Sequence, residues 1–132
     1  MPVTYRIDAV RKLIRTTCSS PLTYEEVIGH FRTLNADPTC FGHLDVFLDV
    51  STADTLPQSS QFASINAELR ILREKVRFGA CAIVATRDGM FGMMRMFEVL
   101  SAQYFAVIRV FREPVEAEVW LASQQEAASS GC

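Results

Sequence analysis

The order of apolar and polar positions changes period several times along the chain, and each change predicts an element. "VTYRID" (Val3 to Asp8) and "RKLIRTT" (Arg11 to Thr17) alternate in character across a gap that only a tight turn fits, which predicts an opening antiparallel hairpin. In "SSPLTYEEVIGHFRTL" the period becomes helical: Tyr24, Val27, Ile28, Phe31 and Leu34 fall on one face. Thr23 is the N-cap and Glu26, three residues on, completes a reciprocal capping box. "LDVFLDV" (Leu44 to Val50) is short, apolar and branched, as a central strand is, with Asp45 and Asp49 near its two ends, and "STADTLPQSS" follows as a polar loop. A second helix opens at Ser60 or Gln61 and carries Phe62, Ile65, Leu69, Leu72 and Val76 at three-and-four spacing. "ACAIVAT" (Ala80 to Thr86) is the next buried strand, Asp88 is placed to cap a third helix, and "YFAVIRVF" (Tyr104 to Phe111) is a further strand. Pro114 suits the first turn of a last helix, "PVEAEVWL", in which Trp120 is the packing anchor, and the polar "ASQQEAASSGC" reads as a frayed tail.

Strands that alternate with helices predict an α/β sheet with right-handed crossovers and an antiparallel hairpin at its start. One domain over 1–122 with a flexible tail over 123–132 is expected, since 132 residues, 49% of them hydrophobic, suffice for one core. Thirteen basic against 15 acidic residues, a net charge of -2, give no field that would draw in nucleic acid or an anionic membrane. No apolar stretch approaches a bilayer span and "MPVTYRID" lacks the regions of a signal peptide, so a soluble cytoplasmic protein is expected. Cys18, Cys40, Cys81 and Cys132 are widely spaced without a CxxC pair, which points to free thiols, with neither zinc nor disulfides.

"GMFGMMRMFEV" (Gly89 to Val99) holds four of the five methionines. On a helical wheel Met90, Met93, Met94, Phe97 and Leu100 share one arc and are assigned to the core, whereas Phe91, Met96 and Val99 point elsewhere. That third helix is greasy over more of its circumference than a sheet covers. Phe91, Met93, Met96 and Val99 are therefore the candidate face for a partner, a second copy, a nonpolar ligand or a membrane surface, all of which flexible methionines accommodate. Arg70, Arg73 and Arg77, at the same spacing beside the apolar stripe of helix two, are candidates for holding an anion or a lipid headgroup. Catalysis finds no support. His30 and His43 share no metal-ligand spacing, and a nucleophile elbow, a Walker loop and GxGxxG are all missing. Neither metal nor cofactor is expected, and the chain is not expected to be an enzyme.

In "LDVS" at a strand exit, "GMMRMFEVL" on the third helix, and "RVFREPVEAEVWL" with Phe111, Ala117, Trp120 and Leu121, the chain resembles the SpoIIAA-like family of STAS-fold proteins across nearly the whole domain. The resemblance implies a mixed sheet of about five strands flanked by four helices, related in fold to the lipid-binding Sec14 (CRAL-TRIO) domains. It also implies a phosphoacceptor serine in a motif Asp-x-Ser followed by glycines. Asp49 and Ser51 match the first half, but the glycines are missing and "TADTLPQ" intervenes before helix two. Two functions are expected from this reading: a regulatory module that binds a protein partner or itself, or a small carrier or sensor of a nonpolar or amphipathic molecule.

Overall fold

The computed structural model describes residues 3–20, 22–53 and 58–130, without the side chains of 59 and 128–130. Part of the expected polar loop, 54–57, and Cys132 lie outside the described residues. Among the described residues the elements run β1 (Val3–Asp8), β2 (Leu13–Ser19), α1 (Tyr24–Ala36), β3 (Gly42–Thr52), α2 (Phe62–Leu72), β4 (Val76–Val84), α3 (Asp88–Ser101), β5 (Val107–Phe111) and α4 (Pro114–Ser130). The five strands form one sheet in the order β1-β2-β3-β4-β5. β1 and β2 are antiparallel and every later pair is parallel, so the chain is α/β with a mixed sheet, an opening hairpin and four helices.

This order follows from local chemistry. Asp8 Oδ1 accepts the backbone N–H groups of Val10 and Arg11, both at 3.0 Å, and turns the chain back with Lys12 at a φ of 53°. Thr23 Oγ1 accepts the Glu26 N–H at 3.2 Å, one half of the expected capping box. Three parallel steps in one direction put α1, α2 and α3 together on one face of the sheet by the right-handed crossover rule. The alternation of β3 records the result: Leu44 and Val50 face the large cluster under those helices, while Phe47 faces a smaller cluster that α4 closes with Ala117 and Leu121.

Several boundaries differ from the sequence reading. Helix two ends at Leu72, and Val76 and Arg77 belong to β4, which begins four residues before the expected Ala80. The N–H groups of Glu74 and Lys75 reach back only to the carbonyls of Ile71 and Leu72, a tightening that closes the helix. Val76 happens to continue the helical spacing, so periodicity alone runs through the turn. Residues Ala102–Tyr104 form a 3₁₀ turn, which delays β5 to Val107. Asp88 is the first residue of α3 rather than its cap, and its carboxylate pairs with Arg112. The segment from 123 is helical as far as Ser130, where a frayed tail is expected. Gln125 explains this, since its Nε2 donates to Arg11 O at 2.9 Å and to Asp45 Oδ2 at 3.0 Å.

Candidate functional site

Under α1, α2 and α3 the sheet does not meet its helices everywhere. A hollow of about 110 Å³ remains, walled by β2 (Ile14, Thr16, Cys18), β3 (Val46, Leu48, Val50) and the inner faces of the helices, including Met94 and Phe97 of α3. Val46 and Leu48 sit in the central strand, hydrogen-bonded into the sheet on both sides, yet both are only half-buried. Their free surface is the floor of the hollow. Native interiors pack as densely as organic crystals, so a void of this size is unusual. Left empty, it forgoes roughly 2–3 kcal/mol at the usual cost of about 24 cal/mol per Å³.

The lining is almost wholly apolar. Its polar groups are the Thr16 hydroxyl, the thiols of Cys18 and Cys81, and the imidazole of His30. His30 projects from α1 between Tyr5, whose ring lies 5.4 Å away edge to face, and Phe31 at 5.6 Å. Burial lowers its pKa from the ordinary 6.5 to about 4, so near neutral pH the imidazole is uncharged. Burial likewise pushes the Cys18 thiol up to about 12, with the Asp49 carboxylate adding to the shift, and raises Cys40 and Cys81. None of the three is a thiolate nucleophile at neutral pH. The neighbouring Tyr5 hydroxyl donates to Asp37 Oδ2 at 2.6 Å, which raises the phenol to about 12 and lowers the carboxyl to about 2.

The candidates read from the sequence are dispersed around this hollow. On α3, Met90, Met94 and Phe97 are buried, as the wheel requires, but Leu100, assigned to the same arc, is 46% exposed and Ser101 is buried in its place. The Ser101 hydroxyl bonds Asn66 Oδ1 at 2.7 Å, and Asn66 also donates to Leu100 O at 3.1 Å. These bonds tie the end of α3 to α2 and turn Leu100 outward. Met96 and Val99 are 46% and 72% exposed, Met93 is half-buried, and Phe91 lies under the Arg112 guanidinium, 4.3 Å from the ring centroid. The outer flank of α3 is therefore Met96, Val99 and Leu100.

Arg70, Arg73 and Arg77 do not share one helix edge, because α2 stops before Arg73. Arg73 and Arg77 instead line an open groove at the start of β4. Ser51 lies inside β3, its hydroxyl donating to Asp49 Oδ1 at 2.5 Å and its N–H to the same oxygen at 2.9 Å. A phosphoryl group there would face that carboxylate rather than a helix N-terminus, since α2 begins only at Phe62.

His43 serves a different cluster, on the α4 side of the sheet. Asp45 is a buried carboxylate whose Oδ1 accepts the Ala80 N–H at 2.8 Å and lies 3.3 Å from His43 Nε2, while Gln125 covers Oδ2. Leu44 pairs with Phe78 but Val46 with Cys81, so β4 carries one extra residue at this point. Asp45 satisfies the N–H that the bulge frees. Among the described residues no group of three or more histidine, cysteine or carboxylate side chains is placed to hold a metal ion, and no helix is long and apolar enough to cross a membrane.

The chain matches no family model, no curated protein and no solved structure. What the molecule offers chemically is therefore read from the hollow, the α3 flank and the basic groove alone. The hollow was missed from the sequence because its walls are ordinary core residues. The one available signal was His30, a titratable group on the border of an apolar helix face.

Proposed function

We propose that this chain is a non-enzymatic binding module, a small carrier or sensor, whose hollow takes up a predominantly apolar molecule. The observation that carries the reading is the half-buried state of Val46 and Leu48 in the middle of the sheet, above a void of about 110 Å³ with an apolar wall. An engineered apolar cavity of about 150 Å³ stays dry and binds benzene, so a site of this order accepts a small ring or a single alkyl chain. Kinship with the SpoIIAA-like proteins is part of the same proposal, and the five-stranded mixed sheet with its four helices is in keeping with it. A cytoplasmic setting is proposed from the buried free thiols Cys18, Cys40 and Cys81.

Calorimetric titration with octanol and indole tests the hollow. At least one of them is expected to bind and to raise the melting temperature, and Leu48→Phe, which places a ring in the void, is expected to abolish binding while keeping or raising stability. If neither ligand binds and Leu48→Phe destabilises the fold as overpacking does, the space is closed in solution and the reading fails.

A second reading rests on the exposed Met96, Val99 and Leu100. They form an apolar strip on α3 that suits a protein partner or a second copy of the chain. It is compatible with the first, because Met94 and Phe97 of the same helix wall the hollow.

A further inference from the structure

The hollow and the basic groove adjoin. The groove, of about 710 Å³, is lined by Arg73, Glu74, Lys75, Arg77, Gln103 and Tyr104 at the end of the sheet where β4 begins. Phe78 and Phe105 line both spaces, with ring centroids 5.2 Å apart and planes at 45°. This aromatic pair is the shared wall. Phe78 is buried in β4, whereas Phe105 is half-buried in the turn before β5, held there by a long 3.4 Å bond from its N–H to Ala102 O.

The groove's cations differ in availability. Lys75 is engaged, its Nζ donating to Asp37 O at 3.0 Å. Arg73 and Arg77 are exposed, and among the described residues no carboxylate forms an ion pair with either. The Arg73 guanidinium lies over the Tyr104 ring at 5.5 Å, which holds it along the groove and leaves its N–H edge free. Glu74 is the single acidic residue among the groove's lining. Two unpaired guanidinium forks are suited to a carboxylate or a phosphate.

We propose that the natural ligand is an amphipathic anion: an unbranched chain lies in the hollow, passes between Phe78 and Phe105, and ends in a carboxylate or phosphate held by Arg73 and Arg77. The proposal rests on the reading of the hollow as a ligand site. The shape of the hollow supports a chain over a fused ring. Its wall runs from Ile14 to Cys18 on β2 and from Val46 to Val50 on β3, five residues on each strand, or about 13 Å at the usual strand rise. A volume of about 110 Å³ spread over that length is a slot.

Titration calorimetry at low salt with octanoate, octyl phosphate, octanol and inorganic phosphate separates head from chain, and the doubly substituted Arg73→Gln, Arg77→Gln protein locates the head. Both residues are exposed, so the variant should fold as the parent does. Octanoate or octyl phosphate is expected to bind at least about tenfold more tightly than octanol, the scale of two charge-assisted contacts. The double variant should lose that advantage while its affinity for octanol stays the same. Equal affinity for octanol and both anions, or an advantage that survives the double substitution, would overturn the proposal and leave the hollow itself standing. Inorganic phosphate binding as tightly as octyl phosphate would overturn it too, since the chain would then contribute nothing. If octanol, indole and both anions all fail to bind the parent and Leu48→Phe destabilises it, the hollow reading falls and this proposal with it.

Discussion

At Gly79 a single missing methyl group decides the geometry of the sheet. A Cβ there would overlap Asp45 Oδ1 and come within 2.6 Å of His43 Cε1, so the bulge in β4 and the buried carboxylate need each other. Gly79→Ala is expected to cost about 1–3 kcal/mol, measured by urea unfolding, because it must either displace Asp45 or leave the Ala80 N–H without a partner. His30 gives the second prediction at this scale. Its pKa is about 4 in the folded protein against 6.5 when solvated, so between these values the unfolded chain takes up a proton that the folded one refuses. Stability must therefore fall as pH drops from 6.5 to about 4, by roughly 3 kcal/mol in all, and His30→Leu should flatten that part of the pH profile. A variant whose unfolding free energy keeps the parent's slope in this window would mean that the imidazole is solvated.

Among the elements, what the sequence revealed and what it concealed have separable causes. The hairpin, the Thr23 cap, the stripe Phe62, Ile65, Leu69 and the strand Leu44 to Val50 were legible because period and capping chemistry agreed at each of them. The end of α2 was concealed because Val76 prolongs the helical spacing into a strand. The helix past residue 123 was concealed because its reason, the contacts of Gln125 with Arg11 and Asp45, spans the sequence. On α3 the wheel separated Met96 and Val99 from the core correctly but placed Leu100 within it, since a wheel does not know that Asn66 grips the last turn. The exposed strip yields its own prediction. Met96→Glu with Val99→Glu is expected to change stability by no more than about 0.5 kcal/mol, as exposed positions do. The same pair should abolish any self-association seen by analytical ultracentrifugation. Association that persisted unchanged would assign the interface elsewhere.

Across the whole molecule, the two faces of the sheet are built to different standards. The α4 side is filled by Phe47, Ala82, Phe111 and Leu121, whereas the side under α1 to α3 retains the hollow. Pressure favours whichever state eliminates internal void, so the unfolding volume of this protein should be dominated by one face. High-pressure fluorescence is expected to show a smaller volume change for Leu48→Phe than for the parent. Saturation with octanol should act in the same direction. An unfolding volume that ignored both changes would place the void somewhere other than beneath β3.

The clasp of Gln125 on Arg11 joins residues 114 positions apart. The same amide shields the carboxylate that steadies the bulge in β4. During biosynthesis the outer turn of the opening hairpin is therefore fastened only after residue 125 has left the ribosome. Nascent chains cut short of residue 125 would carry a finished-looking sheet with an unlatched first turn and an uncovered acid at its heart.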